Sequence, residues 1–95
     1  MSRVCVVVES CEALNDEYES YQDNRAVAGN PTIAEYLIEG YKQDLIKKTY
    51  ADGGIATDMT IVGGDPTVIT EWRSNGFKYI HRYSWIIEQY DIVES

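Results

Sequence analysis

The sequence has few of the residues on which metal and redox chemistry depend. It contains one histidine and two cysteines, Cys5 and Cys11, which form no Cys-x-x-Cys pair. A structural zinc site needs about four such ligands at defined spacings. If residues 3–9 form a strand, Cys5 shares a face with Val7 and should pack as a small apolar side chain. The sequence therefore predicts no metal site and no cofactor.

Long hydrophobic runs are also missing. The longest apolar run, residues 4–8, is far shorter than the roughly 20 residues that a membrane span needs. Glu9 and Glu12 follow this run too soon for it to act as a signal peptide. We therefore expect a soluble cytoplasmic protein with no membrane contact.

No arrangement of side chains specifies a reaction. The histidine, His81, has no nucleophile, paired histidine or carboxylate at a catalytic spacing in the sequence. The pairs Gly53-Gly54 and Gly63-Gly64 fall outside every phosphate-binding pattern and are expected to form turns. The sequence therefore predicts that the protein is not an enzyme.

Positive charge is scarce in this chain. Eight Lys and Arg residues stand against sixteen Asp and Glu residues, which gives a net charge of −8. A protein with this charge repels phosphate backbones, so direct binding to nucleic acid is not expected. The negative charge is densest in residues 9–23, which contain six carboxylates and no basic residue.

One segment has the pattern of a long amphipathic helix. Its apolar residues recur at helical spacing along one stripe. These residues are Ala34, Leu37, Ile38, Tyr41 and Leu45. Thr32 and Glu35 have the spacing of a capping box at the start of this helix, and Asp52-Gly53-Gly54 is typical of a helix end. The pattern predicts one main helix over about residues 32–51.

Other segments are rich in the β-branched and aromatic residues that favour strands. They are residues 3–9, 57–62, 67–73, 77–83 and 84–93, the last of which would also suit a short helix but favours strand. The Asn75-Gly76 pair between two of these segments predicts a β-hairpin. Residues 24–31 contain Gly29 and Asn30-Pro31 and are predicted to form a linker that leads into the helix.

The acidic segment has an ambiguous pattern. Leu14, Tyr18 and Tyr21 recur at helical spacing, but its Asn, Asp and Ser residues favour helix weakly. The segment is either a short acidic helix at about 11–21 or an acidic loop.

Together these elements predict a single α+β domain over residues 1–95, with an antiparallel sheet of about four or five strands. The helix should pack on one face of this sheet. The other face should be partly open and present Tyr and Trp side chains to a partner.

Carboxylates interleaved with aromatic residues are the strongest functional signal. A rigid array of carboxylates can imitate the phosphates of nucleic acid and dock onto a basic protein surface, with aromatic side chains adding apolar contact area. The candidate partner-binding residues are Glu9, Glu12, Asp16, Glu17, Tyr18, Glu19, Tyr21, Asp23, Glu88, Tyr90 and Asp91. The sequence thus favours a non-enzymatic protein that binds and inhibits a nucleic-acid-handling protein.

In size, acidity and lack of catalytic groups, the chain resembles phage-encoded anti-restriction and anti-CRISPR proteins and the small acidic proteins that block nucleases. The resemblance lies in composition and not in any motif. It implies a role in the host cytoplasm if the chain is phage-encoded. The alternative is a structural or assembly module, whose strand edges and tyrosine-rich face form a homodimer or dock into a larger complex.

Overall fold

The computed structural model describes residues 2–15 and 20–92. Its elements in chain order are β1 (Ser2–Ala13), β2 (Tyr21–Ala28), α1 (Pro31–Ala51), β3 (Ile55–Asp58), β4 (Thr67–Ser74) and β5 (Phe77–Ile92). The strands form one antiparallel sheet in the order β2-β1-β5-β4-β3. The prediction of an α+β fold with an antiparallel sheet and one main helix is confirmed.

The hydrophobic core lies between α1 and one face of the sheet. Trp85 and Val68 are 1% and 0% exposed and pack with Ala34 and Ile38 of the helix. Cys5 belongs to the same cluster at 2% exposure, which confirms its predicted role as a small packing residue. The sheet face that carries these side chains is called the helix face below, and the opposite one the open face.

The start of α1 differs from the prediction. Asn30 has an extended backbone (φ −157°, ψ 164°), and its side-chain oxygen accepts a hydrogen bond from the Ile33 N–H at 2.9 Å. Pro31 begins the first turn, where a backbone N–H has no acceptor within the helix, so the lack of an N–H in proline costs no hydrogen bond. The predicted capping box of Thr32 and Glu35 is therefore wrong, because Asn30 is the capping residue.

The rest of the helix prediction is confirmed. Ala34 and Ile38 are buried, and the three other stripe residues pack against the core. Gly53 has a φ of 86° and follows the last turn. The N–H of Gly54 donates to the carbonyl of Thr49 at 2.8 Å, which satisfies one of the free carbonyls at the helix end.

β1 is longer than predicted and occupies part of the expected acidic helix. It pairs with β5 along its whole length, from Ser2 opposite Ile92 to Ala13 opposite His81. Because residues 11–13 bond within the sheet and β2 begins at Tyr21, the predicted helix at about 11–21 is wrong at both of its ends. Its middle, residues 16–19, lies outside the described residues.

Three other segments also differ from their predicted bounds. The predicted linker is wrong over most of its length, because β2 continues to Ala28. β3 occupies Ile55–Asp58, so it begins and ends earlier than the predicted 57–62. The segments predicted as two strands, 77–83 and 84–93, form one continuous strand as far as Ile92.

The hairpin between β4 and β5 is confirmed. Ser74 pairs with Phe77, so the loop consists of Asn75 and Gly76 alone. Both residues have positive φ, 52° and 81°. These angles match a type I′ turn, whose twist fits the right-handed twist of the flanking strands.

Thr70 is expected to be a stabilising site for mutation. Its side chain is fully buried, and its hydroxyl oxygen has no hydrogen-bond partner among the described residues. Replacing Thr70 with valine keeps the shape and removes the unsatisfied hydroxyl, so the free energy of unfolding should rise by about 1–2 kcal/mol in urea denaturation. A loss of stability would contradict this assignment.

Thr49 provides the matched control for that variant. It is equally buried, but its hydroxyl donates to the Leu45 carbonyl at 2.7 Å. Thr49→Val therefore removes a hydrogen bond that exists and should lower the free energy of unfolding by about 1 kcal/mol.

Candidate protein-binding surface

The predicted binding residues are spread along the paired strands β1, β2 and β5 instead of meeting at one place. Glu12 lies opposite Arg82 in the β1–β5 ladder, whereas Asp91 lies opposite Arg3. At the usual rise of a strand, these two positions are roughly 30 Å apart. Asp16, Glu17, Tyr18 and Glu19 lie outside the described residues. The sheet therefore does not bring the predicted acidic residues into one compact patch.

Glu9 lies inside the protein. Its side chain accepts hydrogen bonds from Trp85 Nε1 and the Tyr21 hydroxyl, each at 2.9 Å, and Arg25 Nε lies 3.7 Å away. The Arg25 guanidinium in turn lies 4.7 Å from the centre of the Tyr41 ring. This group, called the Glu9 cluster below, joins β1, β2, β5 and α1. Glu9 is 8% exposed, so its carboxylate is not presented to a partner.

Two tyrosines near this cluster stay protonated at physiological pH. Burial raises the pKa of Tyr21 well above its ordinary value, and the hydrogen bond to Glu9 raises it further. Burial also raises the pKa of Tyr83, with a further contribution from Cys11. Tyr21 therefore acts as a hydrogen-bond donor to Glu9.

Most of the other predicted residues that the structure describes form local contacts. Glu12 forms an ion pair with Arg82, and Asp91 pairs with Arg3 at 3.0 Å. The Tyr90 hydroxyl donates to Glu88, and this hydrogen bond raises the pKa of Tyr90. All three contacts are exposed and leave the side chains at the surface, and each of the two ion pairs contributes about 0–1 kcal/mol to stability.

Cations of this protein are largely engaged with carboxylates. Six of the eight lie within 4.0 Å of a carboxylate oxygen: Arg3, Arg25, Lys42, Arg73, Lys78 and Arg82. Several described carboxylates have no such cation among the described residues. They are Asp23, Glu35, Asp44, Asp52, Asp65 and Glu88. The negative charge is therefore not neutralised locally and extends over the surface.

A groove that the sequence did not reveal lies beside β5. It has a volume of about 500 Å³ between α1 and the segment that leads into β4. Three carboxylates, Glu35, Glu39 and Asp65, line it together with Ile86 and Ile87 of β5. These residues come from three separate stretches of the chain, so only the sheet topology shows that they meet.

Lys42 also lines this groove, but its charge is fully engaged. It is 8% exposed, and its Nζ lies 2.9 Å from Asp58 and 3.2 Å from Glu39. Hydrogen bonds from the Thr60 hydroxyl, Lys42 and the Thr60 N–H lower the pKa of Asp58 to about 2. The groove therefore remains acidic, and Asp58 holds the segment after β3 in place.

A row of aromatic side chains, including both tryptophans, lies on the helix face. Trp72, His81, Tyr83 and Trp85 form a row in which neighbouring ring centres are 6.2–6.5 Å apart. A Cβ at Gly54 would lie 2.6 Å from Trp72 Nε1, so this glycine allows the turn after α1 to cover the Trp72 ring. The expectation of Trp side chains on the open face is therefore wrong, since the strand register turns them towards α1.

Comparisons with known proteins leave the function to be argued from this geometry. No family model, curated protein or solved structure matches the chain. Within residues 2–15 and 20–92, no group of three or more His, Cys, Asp and Glu side chains could hold a metal ion. In the same part of the chain, no helix combines the length and the apolar character that crossing a bilayer requires.

Proposed function

We propose that this protein is a non-enzymatic binding protein that docks onto the basic nucleic-acid-binding surface of another protein and inhibits it. The observation that carries the proposal is the set of carboxylates that have no cation partner within residues 2–15 and 20–92, on a chain of net charge −8 whose cations are mostly engaged. Such a surface attracts a basic partner over long distances and repels nucleic acid itself. We place this activity in the cytoplasm, that of the host if the chain is phage-encoded.

Exposed tyrosines next to the acidic residues support the same proposal. Tyr21 is 47% exposed and lies two residues from Asp23, and Tyr90 is 50% exposed beside Glu88 and Asp91. Tyrosine is enriched among the residues that dominate binding energy in protein interfaces, because it buries a large ring and keeps a polar tip. The carboxylates supply attraction, and the tyrosines supply contact area.

The test is affinity capture from a nuclease-treated bacterial lysate, with washes at low and then high salt and identification by mass spectrometry. We expect a nuclease, a polymerase or another DNA-binding protein that high salt releases. The captured protein should then lose activity on its nucleic acid when this chain is added. Capture without any loss of activity would contradict inhibition.

Charge variants test whether the acidic segment carries the interaction. Glu19→Gln combined with Asp23→Asn should slow association with the captured protein by several-fold to about tenfold and reduce its salt dependence. The control combines Asp44→Asn with Asp52→Asn, which changes the net charge equally but at α1 and its C-terminal cap. Equal effects of the two pairs would show that only net charge matters and would contradict a contact at the acidic segment.

An assembly module is the second candidate function. It is favoured by Ile61 and Val62, which lie between β3 and β4 with exposures of 75% and 103%. Apolar side chains this exposed are typical of surfaces that contact another protein. In the same capture experiment, recovery of the chain alone or of partners that resist high salt would favour this candidate over the inhibitor.

A further inference from the structure

The two long strands of the sheet are offset, and this offset leaves one edge of β5 unpaired. β4 pairs with residues 77–84 of β5, whereas β1 pairs with residues 81–92. Beyond Ser84, the side of β5 that faces away from β1 therefore has no strand partner among the described residues. The last contact on that side is the Trp85 N–H, which donates to the Pro66 carbonyl at 3.2 Å.

The backbone groups on this open edge can be assigned from the alternation of an antiparallel ladder. Successive residues of a strand direct their N–H and C=O groups to opposite sides. The Trp85 N–H points away from β1, and the Ile80 carbonyl on the other side accepts from Leu14 at 2.9 Å. Ile87, Gln89 and Asp91 therefore direct their N–H and C=O groups to the open edge.

The open edge continues the acidic groove described above. Ile86 and Ile87 line the groove beside the place where β4 would continue if it were longer. Its carboxylates are Glu35, Glu39 and Asp65, and its one lysine is engaged by two carboxylates. The groove thus combines unpaired backbone groups with a negative rim.

We infer that an extended segment of the partner, with lysine or arginine side chains alternating with apolar ones, adds to the sheet antiparallel to β5 along residues 87–91. The inference rests on the proposed function and names the place and chemistry of the contact. Backbone hydrogen bonds to the open edge supply binding energy, and alternate side chains supply specificity. The basic side chains lie on one face of the added strand and meet the carboxylates of the groove, while the apolar ones all lie on the opposite face.

Charge favours this occupant over a second copy of the chain. Symmetric pairing of two β5 edges would bring Glu88 and Asp91 of both copies together, beside the carboxylates of both grooves. Like charges at such close range oppose pairing, and each copy carries a net charge of −8. A basic strand removes this repulsion.

The experiment uses the full chain and a short synthetic peptide of alternating lysine and valine. Amide hydrogen exchange, followed by NMR, should slow at Ile87, Gln89 and Asp91 when the peptide is added. The amides of Glu88 and Tyr90, which face β1, should be protected with or without the peptide. Exchange that does not change at the three edge amides would overturn the inference.

Two control peptides separate strand addition from charge attraction. The same peptide with every backbone nitrogen methylated keeps all charges and should bind at least about tenfold more weakly, since it cannot donate to the edge. A peptide of alternating glutamate and valine should bind at least about tenfold more weakly because of its charge. Equal binding of the methylated peptide would contradict strand addition, and equal binding of the glutamate peptide would contradict the basic occupant.

A pair of variants at Gln89 tests the edge within the protein. Gln89→Pro removes an N–H that faces the open edge of β5 and breaks no bond to β1, so peptide affinity should fall by about tenfold. Gln89→Ala removes the same side chain but keeps the N–H and should bind almost as the original protein does. Folding of both variants is checked by circular dichroism, and equal affinities would overturn the inference.

The outcomes distinguish this inference from the proposed function. If Gln89→Pro still binds and inhibits the captured protein while the charge variants do not, the inference fails and the proposed function stands. If the peptide protects the edge amides but no basic protein is captured, the proposed function fails. If the edge amides are protected at high protein concentration without peptide, and sedimentation shows a dimer, the occupant is a second copy and the inference fails.

Discussion

Replacing Trp85 with alanine is expected to lower the free energy of unfolding by about 3–5 kcal/mol. Trp85 is 1% exposed and is the largest fully buried side chain, at the centre of the cluster between α1 and the sheet. The substitution leaves a cavity and also removes the hydrogen bond to Glu9. A loss of this size is a large share of the stability of a domain this small. Urea denaturation, followed by far-UV circular dichroism, measures it.

Two further variants keep this prediction testable if the alanine variant does not fold. Trp85→Phe retains an aromatic ring but no Nε1–H, so it should cost about 1–3 kcal/mol and leave the fold intact. Tyr36→Ala removes an aromatic side chain that is 79% exposed on α1 and should change stability by about 0.5 kcal/mol or less. A Trp85→Ala variant as stable as Tyr36→Ala would contradict the central position of Trp85.

Parts of the fold with a regular side-chain pattern could be predicted from the sequence. Helix α1 could be predicted because its buried residues recur at helical spacing. The β4–β5 hairpin could be predicted because Asn and Gly readily adopt the positive φ that Asn75 and Gly76 have in the turn. Both signals are local. They depend on residues a few positions apart, so a single sequence contains them in full.

β2 could not be predicted because it has no such pattern. Six of its eight residues are exposed, and Ala28 is the buried one, so its sequence shows no alternation of apolar and polar side chains. It is an edge strand held by backbone pairing with β1. Ile61 and Val62 show the opposite case, since they favour strand by composition but lie outside β3 in a loop. In both cases, whether the segment forms a strand depends on its pairing partner, which the local sequence does not specify.

The sites of this protein depend on contacts between distant parts of the chain. Glu9 and Trp85 are 76 positions apart in sequence, and the open edge of β5 exists because β4 begins only at Thr67. The acidity of the chain and the absence of catalytic motifs can be read from the sequence alone. The sequence alone does not show which carboxylate is buried and which lines a groove, because the position of each carboxylate depends on strand register and offset.

Replacing Glu9 with leucine is expected to lower the free energy of unfolding by about 2–4 kcal/mol. The substitution removes the acceptor for two hydrogen bonds, from Trp85 and Tyr21, and the partner of Arg25. Tyr21 and Arg25 are partly exposed and can turn to water, but the Trp85 N–H is buried and would stay without an acceptor. Urea denaturation measures the loss, and the NMR signal of the Trp85 indole N–H should move upfield as its hydrogen bond disappears.

Glu12 lies on the same strand and gives a matched comparison for Glu9. Its ion pair with Arg82 is about half exposed on both sides, so Glu12→Gln should cost about 0–1 kcal/mol. Glu9→Gln keeps one oxygen acceptor and should fall between the Glu9→Leu and Glu12→Gln variants. If Glu9→Leu costs no more than Glu12→Gln, the Glu9 cluster does not stabilise the fold, and the burial of Glu9 would have to serve another purpose. If the expected order holds, the densest acidic segment of the chain contributes Glu9 to the core and presents Glu12 and Asp23 at the surface.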